Sequence, residues 1–385
     1  MKRKETYKVT QVFIAACIGM SFFGISMTVM GALLPALTDK FALDSAQATT
    51  LVAFLPIGML IGSIIFGPIV DRYGYKTLLI VSSILVLFGL EGMLLFNNTL
   101  PVQLSIMSIG LGGGVLNGET NAMVSDIYDD AKRDSRLSLL GVFFGVGALG
   151  IPLLLRSFGN VYTDSQIIRG LEVVLVLGLI YCSIINYPLP KHQQGFPIKK
   201  SFKLLQNKHL LLLALILFFQ SGIEGSTNNW TVYYLESNAF ARETALMSIT
   251  IMIAALTITR LLLTWILKKV NPNKILTSSL LLALVGYVLL LSSSSFIALA
   301  GMAFIGIGTA STFPIILAKI GSLYASLSGT AFSIALVMAL IGNNILNSMT
   351  GIFIGNISGF MYPLLMIASI IVILILNNRT IKIKH

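Results

Sequence analysis

An all-α integral membrane fold, with about twelve transmembrane helices in two pseudo-symmetric six-helix bundles, is the fold class this sequence predicts. Three observations carry the prediction. The 385 residues are 56% hydrophobic and only 11% charged, with a mean hydropathy of +0.89, whereas a soluble domain carries about a quarter charged residues. Apolar runs of roughly 20 residues, long enough to span a ~30 Å hydrocarbon core, recur along the whole chain. The Lys and Arg residues gather in alternate connections between those runs, the pattern of a chain threading a bilayer with its basic loops inside.

The runs, each bounded by charge, Pro, Gly or Asn, fall near 11–37, 46–68, 77–97, 101–126, 136–157 and 166–189, then 209–236, 243–266, 274–294, 296–319, 328–350 and 359–377. No small-residue cleavage site follows the first run, so it reads as a retained helix and not a signal peptide. With the N-terminus inside, Arg72, Lys76, Lys132, Arg133, Arg136, Lys268, Lys269, Lys274 and the basic residues of both ends and of the central loop lie on the cytoplasmic side. Only Lys40, Arg156, Arg169 and Arg242 lie outside. Both termini are therefore expected in the cytoplasm, the protein being a multi-pass component of the inner (cytoplasmic) membrane. Pro188 to His209 is the longest polar connection. It divides the chain into an expected N-terminal bundle (1–190), a cytoplasmic linker (191–208) and a C-terminal bundle (209–385), an internal repetition common among transporters. Pro152 and Pro314 are read as kinks.

Several function classes drop out. The net charge of +11 is placed at helix ends and not on an aromatic-interleaved face, so no nucleic-acid partner is expected. Cys17 and Cys182 lie inside apolar runs, and His192, His209 and His385 lie near aqueous ends, so neither a metal site nor a cofactor is expected. No phosphate-binding GxxxxGK[ST] loop occurs. With no paired carboxylates, nucleophile elbow or His cluster, the chain is not expected to be an enzyme.

Against this background the loop GPIVDRYGYKT, Gly67 to Thr77, clusters Asp71, Arg72 and Lys76 between Gly67 and Gly74. Positive-inside charge explains Arg72 and Lys76 but not Asp71. The spacing G-x-x-x-D-R-x-G-x-[RK] resembles the signature loop between helices 2 and 3 of the major facilitator superfamily, a resemblance that extends over the chain through its twelve runs and central basic loop. It implies the major facilitator fold and a gating latch. Gly67 lets a neighbouring backbone approach and Gly74 permits a tight turn. Asp71 then faces the positive N-terminal end of helix 11, here Ser326 to Phe332, with Arg133 and Arg136 as candidate arginine partners. The second half carries a weak echo in LKKVNPNKIL, Leu267 to Leu276.

Ionisable residues inside spans are functional candidates by default: Glu91, Glu119, Glu172, Glu224 and Arg260, with Asp126 at a helix end. Glu91 and Glu172 read as outer-interface groups, and Arg260 is open to two readings, pairing with a buried carboxylate or snorkelling. In helix 4, Asn117 and Asn121 share a face, while Glu119 points elsewhere unless the glycine run loosens the helix. The segment LNGETNA resembles the helix-4 signature of the fucose permease family of sugar:proton symporters. That resemblance implies that Glu119 is the proton-coupling carboxylate, although the Asn-Pro that should follow is absent.

In helix 7, Gln220, Glu224, Thr227, Asn228 and Thr231 fall on one continuous polar stripe, which in lipid must face protein or water. Amides and a carboxylate favour cavity lining over a packing seam of small residues. Gly222, Glu224 and Trp230 also resemble the helix-7 pattern of fucose-permease-like transporters, which implies an indole stacked on a sugar ring. Asn343 and Asn347 share a face of helix 11, with Asn344 aside. The candidate solute-binding residues are thus Asn117, Asn121, Gln220, Glu224, Thr227, Asn228, Trp230, Asn343 and Asn347.

The expected function is a monomeric secondary transporter importing a monosaccharide, hexose-like, by proton symport through alternating access, with lipid, sugar and protons as its partners. The alternative is a multidrug or other small-solute proton antiporter of the same fold, whose helix-5 GPxxGG-like run is only approximated by GVGALGIPLL, Gly145 to Leu154.

Overall fold

The structure is a computed structural model that describes residues 7–190, 203–356 and 360–382. The basic N-terminal stretch 1–6 and residues 191–202 of the expected linker lie outside the described residues. Described helices are α1 (Val9–Phe41), α2 (Ser45–Tyr73), α3 (Tyr75–Leu95), α4 (Thr99–Ile127), α5 (Asp130–Phe158), α6 (Asp164–Ile184), α7 (Lys208–Ser237), α8 (Arg242–Ile266) and α9 (Pro272–Leu289). They continue with α10 (Ser295–Thr309), α11 (Thr312–Leu323), a 3-10 turn (Ala325–Leu327), α12 (Ser328–Asn356) and α13 (Met361–Lys382). Among the described residues twelve segments are long and apolar enough to cross a membrane, the tenth being α10 and α11 together, Ser295–Leu323. The protein is a multi-pass, all-helical membrane protein.

The helix starts follow from local chemistry. Asp44 and Thr163 each form a capping box with the Gln three residues on, satisfying backbone N–H groups that the first turn leaves open. Asn207 caps α7, and Asn271 with Pro272 starts α9. Gly74, with φ +80°, makes the one-residue turn from α2 into α3, a conformation that a Cβ would strain.

The chain divides into two compact units. The first comprises 1–127, 140–201 and 324–333, and the second 128–139, 202–323 and 334–385. In the first unit α4 runs unbroken through its glycine run. Its glycines serve close approach instead of loosening the helix: a Cβ on Gly110 or Gly114 would overlap the Leu55 or Met59 carbonyl oxygen of α2, and one on Gly112 would lie 2.5 Å from the Ser82 oxygen of α3. Small residues let membrane helices gain dispersion contact where no hydrophobic drive exists between them.

The second unit repeats the device. Gly301 of α10 lies against Gly286 of α9, and Gly306 lies against the Met252 carbonyl of α8. The fourth helix of each half is thus wedged between the second and third by glycine. Pro152 leaves α5 continuous. Pro314 coincides with the break between α10 and α11, since it has no N–H for the Ala310 carbonyl and its ring clashes with that carbonyl.

Candidate functional site

In the first unit Asp71 is buried. Its Oδ2 accepts from the Thr330 backbone N–H at 3.0 Å and from Thr330 Oγ1 at 2.8 Å, and its Oδ1 accepts from Gly329 N–H at 3.2 Å. The carboxylate sits where the first open N–H groups of α12 point. Gly67 makes this possible: a Cβ there would come within 2.6 Å of the Gly329 oxygen. One turn deeper, Ser333 Oγ donates to the Ser63 carbonyl at 2.5 Å. Tyr75 donates to Asp126 in a short hydrogen bond. Arg72 lies over the Tyr73 ring at 5.3 Å, and Lys76 is exposed.

Arg133 and Arg136 belong to the second unit. There Arg133 pairs with Asp130 and donates to the Tyr128 carbonyl at 3.1 Å, and Arg136 stacks over the Tyr128 ring at 5.2 Å. In the same unit Ser138 Oγ donates to the Arg260 carbonyl at 2.6 Å and Ser135 Oγ to that of Thr264 at 2.5 Å. The Ser138–Arg260 contact mirrors Ser333–Ser63. Ser63 and Arg260 occupy matching places in the second helix of each half, and Ser138 and Ser333 matching places in the fifth. This repetition of contacts is stronger than the loop echo read in the sequence.

The two intramembrane carboxyls of interest have opposite surroundings. Glu119 of α4 is fully buried, and neither carboxyl oxygen has a hydrogen-bond partner among the described residues. Cys182 and Tyr187 lie within electrostatic range of it. Tyr187, beyond the end of α6, donates to the Cys182 carbonyl at 3.0 Å, and burial pushes its hydroxyl pKa up. Asn117 and Asn121 lie on the other face of α4, bonded to each other: Asn121 Nδ2 donates to the Asn117 carbonyl at 2.7 Å and to its Oδ1 at 3.3 Å.

Glu224 of α7 is compensated. Gln220 Nε2 donates to Glu224 Oε1 at 2.9 Å, and Arg260 Nη2 of α8 stands 3.6 Å from the same oxygen. Of the two readings open for Arg260, the structure gives the ion pair. Gln220 also donates to the Thr309 carbonyl at 3.1 Å, which the α10–α11 break deprives of a helical partner.

The polar stripe of α7 therefore divides. Thr227 gives its proton to the Ile223 carbonyl at 2.6 Å and accepts from Tyr287 of α9 at 2.6 Å; Thr231 gives its proton to the Thr227 carbonyl and accepts from Tyr362 of α13 at 2.7 Å. Both threonines are buried in packing. Glu224 is half-buried and Asn228 exposed. Trp230 donates its indole N–H to Asn347 Oδ1 at 2.7 Å and lies against Gly351, where a Cβ would sit 2.6 Å from the ring. Asn343 covers Gly225.

Tyr287 and Tyr362, the partners of the threonines, were not singled out in the sequence. Their signal is a phenol inside an apolar run, whose hydroxyl must find a partner when buried.

These observations agree with known proteins. The description Major Facilitator Superfamily matches residues 15–345. The chain is 24% identical over 350 residues to the glucose/mannose transporter of Bacillus subtilis, covering 86% of each chain. It is 27% identical over 194 residues to the galactose-proton symporter of Escherichia coli K12, covering 49% of this chain and 40% of that one. Among solved structures, FucP in its outward conformation superposes with a TM-score of 0.80 at 18% identity, covering 96% of this chain and 98% of that one. The proton:xylose symporter XylE superposes at 0.79 and 14% identity, covering 97% and 95%. With its family match running over most of its length and its fold shared with solved transporters, the chain belongs to the Major Facilitator Superfamily.

Proposed function

We propose that this protein is a secondary transporter that imports a monosaccharide together with protons by alternating access. The observation that carries this reading is the contrast between Glu119 and Glu224. Glu224 has a guanidinium and an amide donor beside it and offers its carboxyl oxygens to solute hydroxyls. Glu119 has neither. An unpaired carboxylate ion in such a place is far costlier than the neutral acid, so Glu119 is suited to carry a proton and release it only where water or a donor reaches it. The relatives named above, a hexose transporter and a sugar-proton symporter, support the same reading.

Within the second unit the solute-binding residues are Gln220, Glu224, Asn228, Trp230, Asn343 and Asn347, with Thr227 in the packing behind them; within the first unit they are Asn117 and Asn121. Gly67, Asp71, Arg72, Gly74 and Lys76 serve as the latch, with Arg133 and Arg136 on the same cytoplasmic side. The protein acts as a monomer in the cytoplasmic membrane with both termini inside, as two six-helix bundles divided at 190 and 209, and carries no enzyme activity.

Uptake of a panel of labelled sugars by proteoliposomes, with and without an imposed pH gradient, tests this. Accumulation of a hexose only when the outside is acidic is the expected result. Expulsion of hydrophobic cations instead of sugar uptake would replace it with the antiporter reading.

A further inference from the structure

The ion pair on α7 and α8 has open valences. Arg260 has a side chain only 11% exposed, yet its Nε–H finds no acceptor among the described residues, and its Nη2 stands 3.6 Å from Glu224, outside hydrogen-bond length. Gln220 Oε1, also buried, has no donor among the described residues. Buried polar groups are ordinarily satisfied, so one buried donor and one buried acceptor left open beside a half-exposed carboxylate mark a place where a ligand completes the network. The group that matches is a hydroxyl, which donates once and accepts. The pair also sums to zero charge, so a hydroxylated ligand enters without leaving an ion uncompensated.

We propose that Arg260 and Glu224 form the specificity-determining pair of the solute site, selecting an uncharged polyhydroxylated solute and rejecting its acidic and basic analogues. This rests on the sugar-transport reading and adds the residues that exclude charged sugars. A uronic acid would place a second carboxylate beside Glu224, and an amino sugar a second cation beside Arg260. Each leaves a buried charge unpaired, which low-dielectric surroundings penalise heavily. A purely structural ion pair joining α7 to α8 would carry no such preference.

The test is competition binding on the purified full-length protein, using the best-bound neutral hexose, its uronic acid and its 2-amino-2-deoxy analogue. Wild type is expected to bind the neutral sugar at least about tenfold more tightly than either charged analogue. Glu224→Gln leaves the guanidinium uncompensated and should raise the uronic acid's affinity relative to the neutral sugar by about tenfold; Arg260→Gln should do the same for the amino sugar. Relative affinities unmoved in both variants, with neutral sugar still bound, would overturn the pair's role while leaving sugar transport standing. A wild type that binds no sugar would overturn both. Should neither variant fold, wild-type competition decides: a charged analogue that competes as well as the neutral sugar defeats the proposal.

Discussion

Asp71 and Thr330 are joined twice, through the backbone N–H at 3.0 Å and the side-chain hydroxyl at 2.8 Å, so that a carboxylate of α2 serves as the N-terminal cap of α12. A helix ordinarily takes its cap from its own chain a residue or two upstream. Here the cap comes from another helix, α2.

Asp71→Asn replaces one acceptor oxygen by an NH₂ that faces donors, removing a cap worth about 0.5–2 kcal/mol. Maximal uptake should fall in proteoliposomes, while sugar affinity in detergent stays within a few-fold. A folded variant that no longer binds sugar would assign Asp71 to the solute site and not to gating.

Glu119→Gln fixes α4 in a neutral state like that of the protonated acid. Sugar-for-sugar counterflow, which needs no net proton movement, should persist, whereas accumulation on an imposed pH gradient should vanish. Accumulation that survives would transfer the proton to another group.

Asn347→Ala removes one of the two acceptors of the Trp230 indole N–H, the Oδ1 at 2.7 Å, and keeps the Asn347 carbonyl at 3.1 Å. The lost bond should weaken sugar binding by about 0.5–1.5 kcal/mol, the net worth of one hydrogen bond, and Asn228→Ala should weaken it as well. Isothermal titration against the transported hexose measures both; unchanged affinities would move Trp230 out of the binding face.

Gly114→Ala tests the wedge between α4 and α2. The new Cβ would overlap the Met59 carbonyl oxygen, so the helices must separate, at about 1–3 kcal/mol for overpacking. Gly150→Ala on α5 meets nothing within 4 Å and serves as the control, neutral or slightly stabilising in a helix. Thermal unfolding in detergent should separate the two variants, and equal midpoints would remove the close-approach account of the α4 glycines.

The spans were legible in the sequence because hydrophobic length and Lys/Arg placement are local properties, and so was Asp71, an acid that positive-inside charge cannot explain. The α7 stripe was legible only as a direction. Spacing shows that Gln220, Glu224, Thr227, Asn228 and Thr231 share a side, but not that Tyr287 and Tyr362, from helices far along the chain, meet the two threonines. The partner of Arg260 was likewise hidden, since two adjacent helices admit many registers and only packed geometry brings its guanidinium to Glu224. The α4 glycines could equally have meant looseness or close approach. Which one holds depends on the neighbouring backbones of α2 and α3.

The interruption at Ala310 and Ser311 makes the tenth span two short rods with a joint, not one stiff rod. Three things meet at that joint: the Ala310 carbonyl that Pro314 cannot serve, the buried hydroxyls of Ser311 and Thr312, which have no partner among the described residues, and the Gln220 amide bound to the Thr309 oxygen. The same amide nitrogen also holds Glu224. Gln220 is therefore a lever arm with one end on the joint and the other on the Glu224 carboxylate. Bending the span by a few degrees would pull on Glu224 directly, and a solute that captures Glu224 would load the joint in return.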